Sequence, residues 1–448
     1  MTTPVPAAPR GQSLALRTSL RRLAVRPRSL ALLLAVPVLA VLAGIVGWLL
    51  DLRFGVDSAV YRAGAVTLLQ GEPLYAANTL AAEPWWALLP FTYPPTAALL
   101  FTPLAVLPIQ VAWGVLVAVS ILSLALVVRV TIGALPAAAL PAVSAGGTRW
   151  WSSPARATLI FTLLFLLLEP VWRTIFLGQI NLILMALVVV DVLVVCAPGR
   201  SSRWGGVLVG VAAAVKLTPL IFVAHLLFTG RWRDALRALG TFVALQGLMF
   251  VIVPGDAARY WTHTLPDTGR IGPVHWAGNQ SLTGLLNRLT DLAPWASNAA
   301  IGLGLLLGLP ALWAVIRFHR KGQELAALLV SAFYMLLLSP ISWSHHWVWA
   351  VPLIVLLVSR LPRTSPRAAW RRWTAAVAVV AVFASGVLLI MPNGRDIELH
   401  WRFWEFVIGS AYILVPVTLI AVLAVRSLLR RRRTDTEAGP RADATAAR

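Results

Sequence analysis

From Ser29 to Arg426 the chain is a series of long apolar runs punctuated by short clusters rich in arginine, glycine and proline. An α-helix needs about 20 predominantly apolar residues to cross the hydrocarbon core of a bilayer, and the runs recur near that length. The pattern predicts helices near 29–50, 95–130 (longer than one span), 157–169, 180–196, 205–214, 217–228, 238–253, 299–316, 324–340, 346–358, 374–391 and 406–425, twelve in all. Each piece of 205–228 is short, so this stretch reads as one span or as two broken ones. Arginines at both ends, Arg200 and Arg203 before it and Arg231 and Arg233 after it, favour a pair that goes in and comes back. The predicted fold class is all-α integral membrane. A single transmembrane domain occupies 29–426, with disordered cytoplasmic tails at 1–28 and 427–448.

Composition fits this solvent. Hydrophobic residues make up 59% and charged residues 12% of the 448, more apolar side chain than a soluble domain can hide. Residues 29–50 follow a basic stretch as a signal peptide core would, but run too long for one and read as an uncleaved first helix. The lone Cys196 excludes an intramolecular disulfide and a cysteine-based metal site.

The net charge of +21 raises the question of nucleic acid, and its distribution answers it. With both termini cytoplasmic, about three-quarters of the 38 Lys and Arg fall in inner segments, the bias that sets membrane orientation. Most of the 17 acidic residues fall on the outer side. The basic excess is therefore largely topological and faces anionic headgroups. Inner loops such as GRSSR and RFHRKG are short and repetitive, whereas the outer loops 51–94 and 254–298 are long and varied. Function concentrates on loops of the second kind.

The unusual polar residues share that outer face. From Asp57 the first outer loop reads as an amphipathic helix ended by Gly71, with Asp57 in a capping position and Asp57, Tyr61 and Gly64 on one side. Such a helix lies along the membrane surface and holds a carboxylate over a cavity mouth; a plain helix cap explains Asp57 equally well. FTYPP (91–95), with Tyr93, opens the next span. GQIN (178–181) opens the fourth helix, and the amides of Gln179 and Asn181 suit either a helix cap or sugar hydroxyls. Lys216, one of only two lysines, sits at the break between two short apolar helices, where a cation is costly unless it faces a partner or a polar cavity, or snorkels to the headgroups.

The second long outer loop carries His263, His275, Asn279 and Gln280, and SPISWSHHWVW (339–349) brings Trp343, His345 and His346. Adjacent histidines on a helix point about 100° apart, so they suit hydrogen bonding to phosphate or sugar better than chelation. Tryptophan faces suit sugar rings and interfacial anchoring alike. The sequence has no Walker loop, dinucleotide-binding glycines, HExxH or nucleophile elbow. No metal and no cofactor is expected.

VDxxVYRxGA (56–65), FTYPP with PLAVLP (103–108), GQINLILMAL (178–187), GVLVGVAAAVKLTPLIF (206–222), NQSLTGLL (279–286) and SPISWSHHWVW together resemble glycosyltransferase family 87. These are polyprenol-phosphate-mannose-dependent α-1,2-mannosyltransferases of the GT-C type. The resemblance spans roughly 51–358. It implies a multi-pass plasma-membrane enzyme with an extracytoplasmic site, a polyprenyl-phosphate-β-mannose donor and a mannosylated glycolipid acceptor such as a phosphatidylinositol mannoside. It also implies inversion, and a base in the first outer loop, where Asp57 stands in the motif and Asp51 is the rival outside it. Lys216, Arg62, His345 and His346 are then candidates for the donor phosphate. Tyr61, Tyr93, Gln179, Asn181, Asn279, Gln280 and Trp343 are candidates for the substrates. A flippase of lipid-linked sugars, or an enzyme using another polyprenyl-phosphate sugar such as arabinose, are the alternatives.

Overall fold

The computed structural model describes residues 27–422 except 77, 136–152, 198, 200–201 and 362–365. The expected tails lie outside the described residues, apart from Pro27 and Arg28, which already belong to the first helix. Among the described residues the chain is all-helical, and the one β-bridge joins Asn279 to Trp343. Among the described residues, four helices are long and apolar enough to cross a membrane: Ala31–Leu49, Ile109–Ala134, Trp232–Ile252 and Ala296–Arg320. Two bent pairs, Pro154–Phe165 with Glu169–Leu177 (74°) and Phe403–Gly409 with Ala411–Val422 (76°), raise the number to six if each is one span. The protein is thus a multi-pass membrane protein.

Helix α1 (Pro27–Leu49) lies along α3 (Ile109–Ala134). A Cβ on Gly44 would stand 3.1 Å from Cα of Gly114, so the two glycines let the backbones touch, as small residues do between helices in lipid. The long run expected at 95–130 is divided: helical turns at Pro95–Leu100 and Thr102–Ala105 precede α3, because Pro103 and Pro108 cannot continue a hydrogen-bonded helix.

Between them runs α2 (Val56–Gln70). Gly71 ends it at φ 71°, with the amides of Gly71 and Glu72 returning to the carbonyls of Leu68 and Thr67. Its start differs from the expectation. Gly55, at φ 76°, occupies the cap, and Asp57 falls in the first turn without a capping bond. Nor is α2 half bare. Tyr61, Ala63, Gly64 and Ala65 are buried, and a Cβ on Gly64 would stand 2.4 Å from the Phe91 ring.

Helix α4 (Pro154–Phe165) bends into α5 (Glu169–Leu177), then α6 (Asn181–Val190) turns back. Gly178 caps α5 at φ 70°, and a Cβ there would stand 2.6 Å from Ser58 and 2.9 Å from Trp113. The same tryptophan covers Gly55 and donates its indole N–H to the Ile175 carbonyl at 3.0 Å. Two left-handed glycines and one tryptophan thereby clamp the start of α2 against the end of α5.

The stretch at 205–228 is two short helices, α7 (Val207–Val215) and α8 (Ile221–Phe228), separated by extended backbone at Lys216 (φ −147°, ψ 127°) and a 3-10 turn. Both pack on α9 (Trp232–Ile252). Gly206 meets Asp234 and Ala238, Gly210 meets Thr241, and Gln246 donates to the Ala214 carbonyl, so α7 runs in the direction of α9. The short turn at 229–231 sends α9 back along α8. The two halves of the pair therefore run in opposite directions, with Lys216 at the reversal. Beyond these lie α10 (Leu282–Leu289), α11 (Ala296–Arg320), α12 (Glu324–Leu338) and α13 (Ala350–Ser359), which begins behind a 3-10 segment, Ser344–Trp349.

Candidate active site

The clamp at Gly55 and Gly178 sets Asp57 beside Gln179. The Gln179 side-chain amide lies close enough to the Asp57 carboxyl to favour its charged form, while its own Oε1 accepts from the Tyr61 hydroxyl at 2.6 Å. With its oxygen taken by a phenol, the amide can offer only N–H to the carboxyl. The Tyr61 and Tyr93 hydroxyls stand 2.9 Å apart, and Tyr61 stacks on Phe101 with ring centroids 4.6 Å apart. Burial pushes the Asp57 carboxyl up to about 6, outweighing the opposing pull of Gln179, Lys216 and Arg173. The residue still keeps partial exposure, so the carboxyl is recessed but reachable.

Lys216 lies close enough for its charge to act on the Asp57 carboxyl. Its ammonium donates to Asn181 Oδ1 at 3.2 Å, lies 2.9 Å from Nε2 of His346 and stands 5.8 Å from the centre of the Tyr93 ring. An ammonium has only donors, so Nε2 accepts and the His346 proton sits on Nδ1. The Asn181 amide and the Thr174 hydroxyl each donate to the His345 carbonyl at 3.1 Å, which docks the histidine segment on α5 and α6. His345 is buried, and neither ring nitrogen has a protein partner. From Lys216, Asn181 and His346 a narrow cavity runs inward, lined by Leu184, Met185, Val188, Phe222, Met335 and Leu336. Asn181, Leu184, Met185 and Val188 follow one helix face, so the cavity descends about 10 Å along α6. Among the described residues no group of three His, Cys, Asp or Glu side chains could hold a metal ion.

A buried carboxyl therefore lies close to a cation and two imidazoles, with a small, largely apolar cavity beside the cation. The model of glycosyltransferase family 87 matches residues 91–340. The chain is 34% identical to a polyprenol-phosphate-mannose-dependent alpha-(1-2)-phosphatidylinositol mannoside mannosyltransferase of Mycobacterium tuberculosis (strain ATCC 25618 / H37Rv), over 88% of this chain and 91% of that protein. The chain belongs to glycosyltransferase family 87. A like-named enzyme of Mycolicibacterium smegmatis is 31% identical over 89% of this chain and 90% of its own. A phosphatidylinositol pentamannoside mannosyltransferase of Mycobacterium tuberculosis (strain CDC 1551 / Oshkosh) is 35% identical over 79% of each. No solved structure matches.

Of the residues singled out in this glycosyltransferase's sequence, Asp57, Tyr61, Tyr93, Gln179, Asn181, Lys216, His345 and His346 come together. Arg62 does not join them. Five residues after Asp57 it projects about 140° around the helix, and its guanidinium donates to the carbonyls of Leu107 (2.6 Å) and Ala105 (3.3 Å). Asn279 and Gln280 are fully buried and bind backbone. Asn279 joins Val274, Pro340 and Ser342, and Gln280 joins Ala277 and Gly409. Trp343 packs edge-on against Trp276 with ring centroids 5.2 Å apart. Asp51 is exposed at the end of α1.

Two residues escaped the sequence reading. Arg173 lies close enough to act on the Asp57 carboxyl, and Glu169 one turn before it is fully buried. The signal was an acid and a base four residues apart in the otherwise apolar EPVWRTIFL, which passes for a connection between spans until α5 is seen as a helix.

Proposed function

We propose that this family 87 glycosyltransferase moves mannose from polyprenyl-phosphate-β-mannose to a hydroxyl of a phosphatidylinositol mannoside, with inversion, forming an α-1,2 linkage on the extracytoplasmic face of the plasma membrane. The observation that carries it is the closeness of Asp57 to Lys216 and the two histidines. Asp57 takes the proton of the acceptor hydroxyl as that oxygen attacks the anomeric carbon. The bond from that carbon to the phosphate oxygen breaks on the opposite side, and the electron pair leaves with the lipid phosphate. Such a leaving group is stable as an anion and needs donors and positive charge rather than a strong acid. Lys216 and His346, with His345 beside them, supply these. Gln179 orients the base, and the Tyr61–Tyr93 pair walls the sugar side.

Support for a lipid donor comes from the membrane setting of the site and from the largely apolar lining of the small cavity beside Lys216. Support for the side of the membrane comes from the arginine-rich inner loops. In this reading the polypeptide crosses about twelve times, with both termini cytoplasmic and α2 in the first outer loop. The shorter spans are tolerated because their ends are buried against protein rather than lipid. Asn279 and Gln280 act as struts that hold the loop carrying Trp343. The test is transfer from radiolabelled polyprenyl-phosphate mannose to a panel of phosphatidylinositol mannosides by purified protein and by Asp57→Asn. Transfer by the first and not by the second is expected. Equal transfer by both would sink the base assignment.

A further inference from the structure

Arg173 is a mostly buried cation that the protein scarcely uses. Its side chain is 15% exposed, yet one of its five N–H groups has a protein acceptor, Glu169 Oε1 at 3.4 Å. The guanidinium also lies over the Trp276 ring, 5.5 Å from its centre. Glu169, by contrast, is well satisfied without it. Its carboxylate accepts from the Ser344 hydroxyl and the Tyr412 hydroxyl, both at 2.7 Å, and the residue has no exposed surface. The long contact to Arg173 is therefore the weakest of the three, and it leaves four N–H groups for something else.

What lies nearby says what that is. Arg173 lies close enough for its charge to act on both Asp57 and His345. His345 is the buried imidazole whose two nitrogens have no protein partner. A guanidinium held in place on one edge, with its other donors free and still reaching solvent, next to a buried imidazole without a protein partner, is suited to an anion with several acceptor oxygens. We propose that Arg173 is a second cation of the recess and binds a phosphodiester anion, and that Glu169 is the positioning residue that holds it there. Glu169 also ties the segment 344–346, through Ser344, and the helix Ala411–Val422, through Tyr412, to α5. One carboxylate thus fixes the spacing between the Arg173 side of the recess and the histidines.

The phosphodiester has two sources, the donor's sugar phosphate and the inositol phosphate of a glycolipid acceptor. This assignment rests on the transfer function proposed above, so the experiment separates the two. Purified Arg173→Gln, Arg173→Lys and Glu169→Gln are compared with wild type in steady-state transfer, with donor and acceptor varied separately. Binding of polyprenyl phosphate, which lacks the sugar, is measured in parallel, and thermal melting checks folding. For Arg173→Gln, kcat/KM is expected to fall by about 10²–10³, the usual effect of removing an anion-stabilising donor, with partial recovery in Arg173→Lys. Glu169→Gln is expected to lose about tenfold, and its double variant with Arg173→Gln to lose no more than Arg173→Gln alone. A rise in KM for the donor, with weaker binding of polyprenyl phosphate, assigns the donor phosphate; a rise for the acceptor alone assigns the inositol phosphate. A folded Arg173→Gln with wild-type constants for both substrates would overturn this inference alone. A wild-type protein that neither transfers mannose nor binds polyprenyl phosphate would overturn the transfer function, and this inference with it.

Discussion

Lys216 Nζ and His346 Nε2, 130 residues apart in the chain, meet at 2.9 Å. The contact joins the reversal between α7 and α8 to the segment that starts α13. It gives the recess a cation whose direction is fixed by two partners, His346 and Asn181. Replacing Lys216 by methionine keeps most of the stem and removes the charge. Transfer is expected to fall by about 10²–10³ in kcat/KM, measured with donor varied at saturating acceptor. Lys216→Arg should recover little, since a planar fork does not fit between an amide oxygen and an imidazole nitrogen.

Asp57→Asn removes the proposed base but keeps the shape and the neighbourhood of Gln179. Turnover is expected to drop by about 10²–10⁴ with little change in melting temperature or in binding of polyprenyl phosphate. The same assay with EDTA should leave wild-type turnover unchanged. Inhibition by EDTA that zinc or magnesium reverses would contradict a metal-free site.

The pH profile follows from the buried carboxyl. Asp57 must be unprotonated to accept a proton, and burial sets its pKa at about 6. Activity should therefore be low under acid conditions, rise through about pH 6 and reach a plateau above it. Unlike the wild type, any residual activity of Asp57→Asn should lack this limb.

Arg62 offers a contrast with Lys216. Because its guanidinium binds the carbonyls of Ala105 and Leu107, Arg62→Gln should lower stability by about 1–2 kcal/mol and leave the KM for the donor near wild type. A donor KM raised a hundredfold would return Arg62 to the phosphate.

Gly178→Ala tests the clamp. At φ 70°, and with a Cβ only 2.6 Å from Ser58, alanine there combines backbone strain with a clash. A loss of about 1–3 kcal/mol is expected in thermal unfolding, together with reduced turnover as Asp57 shifts relative to Gln179. Gly71→Ala, at a similar φ but with open space around it, should cost stability and spare turnover.

The sequence by itself determined the solvent of this protein and its broad architecture, because hydropathy is a local property and the need to satisfy backbone groups in lipid leaves few folds. It also determined which residues were out of place: Lys216 in an apolar run, the histidine pair, Gln179 and Asn181 at a helix start, and Gly71 as a stop. Motif resemblance then joined them to one family. Tertiary structure decided what spacing does not encode. Asp57 had two readings until Gly55 took the cap and Gln179 took the carboxyl. Arg62 looked like a phosphate ligand until α3's leading turn presented carbonyls on the far side of α2. Asn279 and Gln280 resembled sugar-binding amides, and burial turned them toward the backbone. Glu169 and Arg173 were hidden in an apparent connection, since the 74° bend that lays α5 across the recess depends on what α4 and α5 pack against. Which side a polar group faces is set by its neighbours in space, and those come from elsewhere in the chain, some 45 residues away for Arg62 and 130 for Lys216.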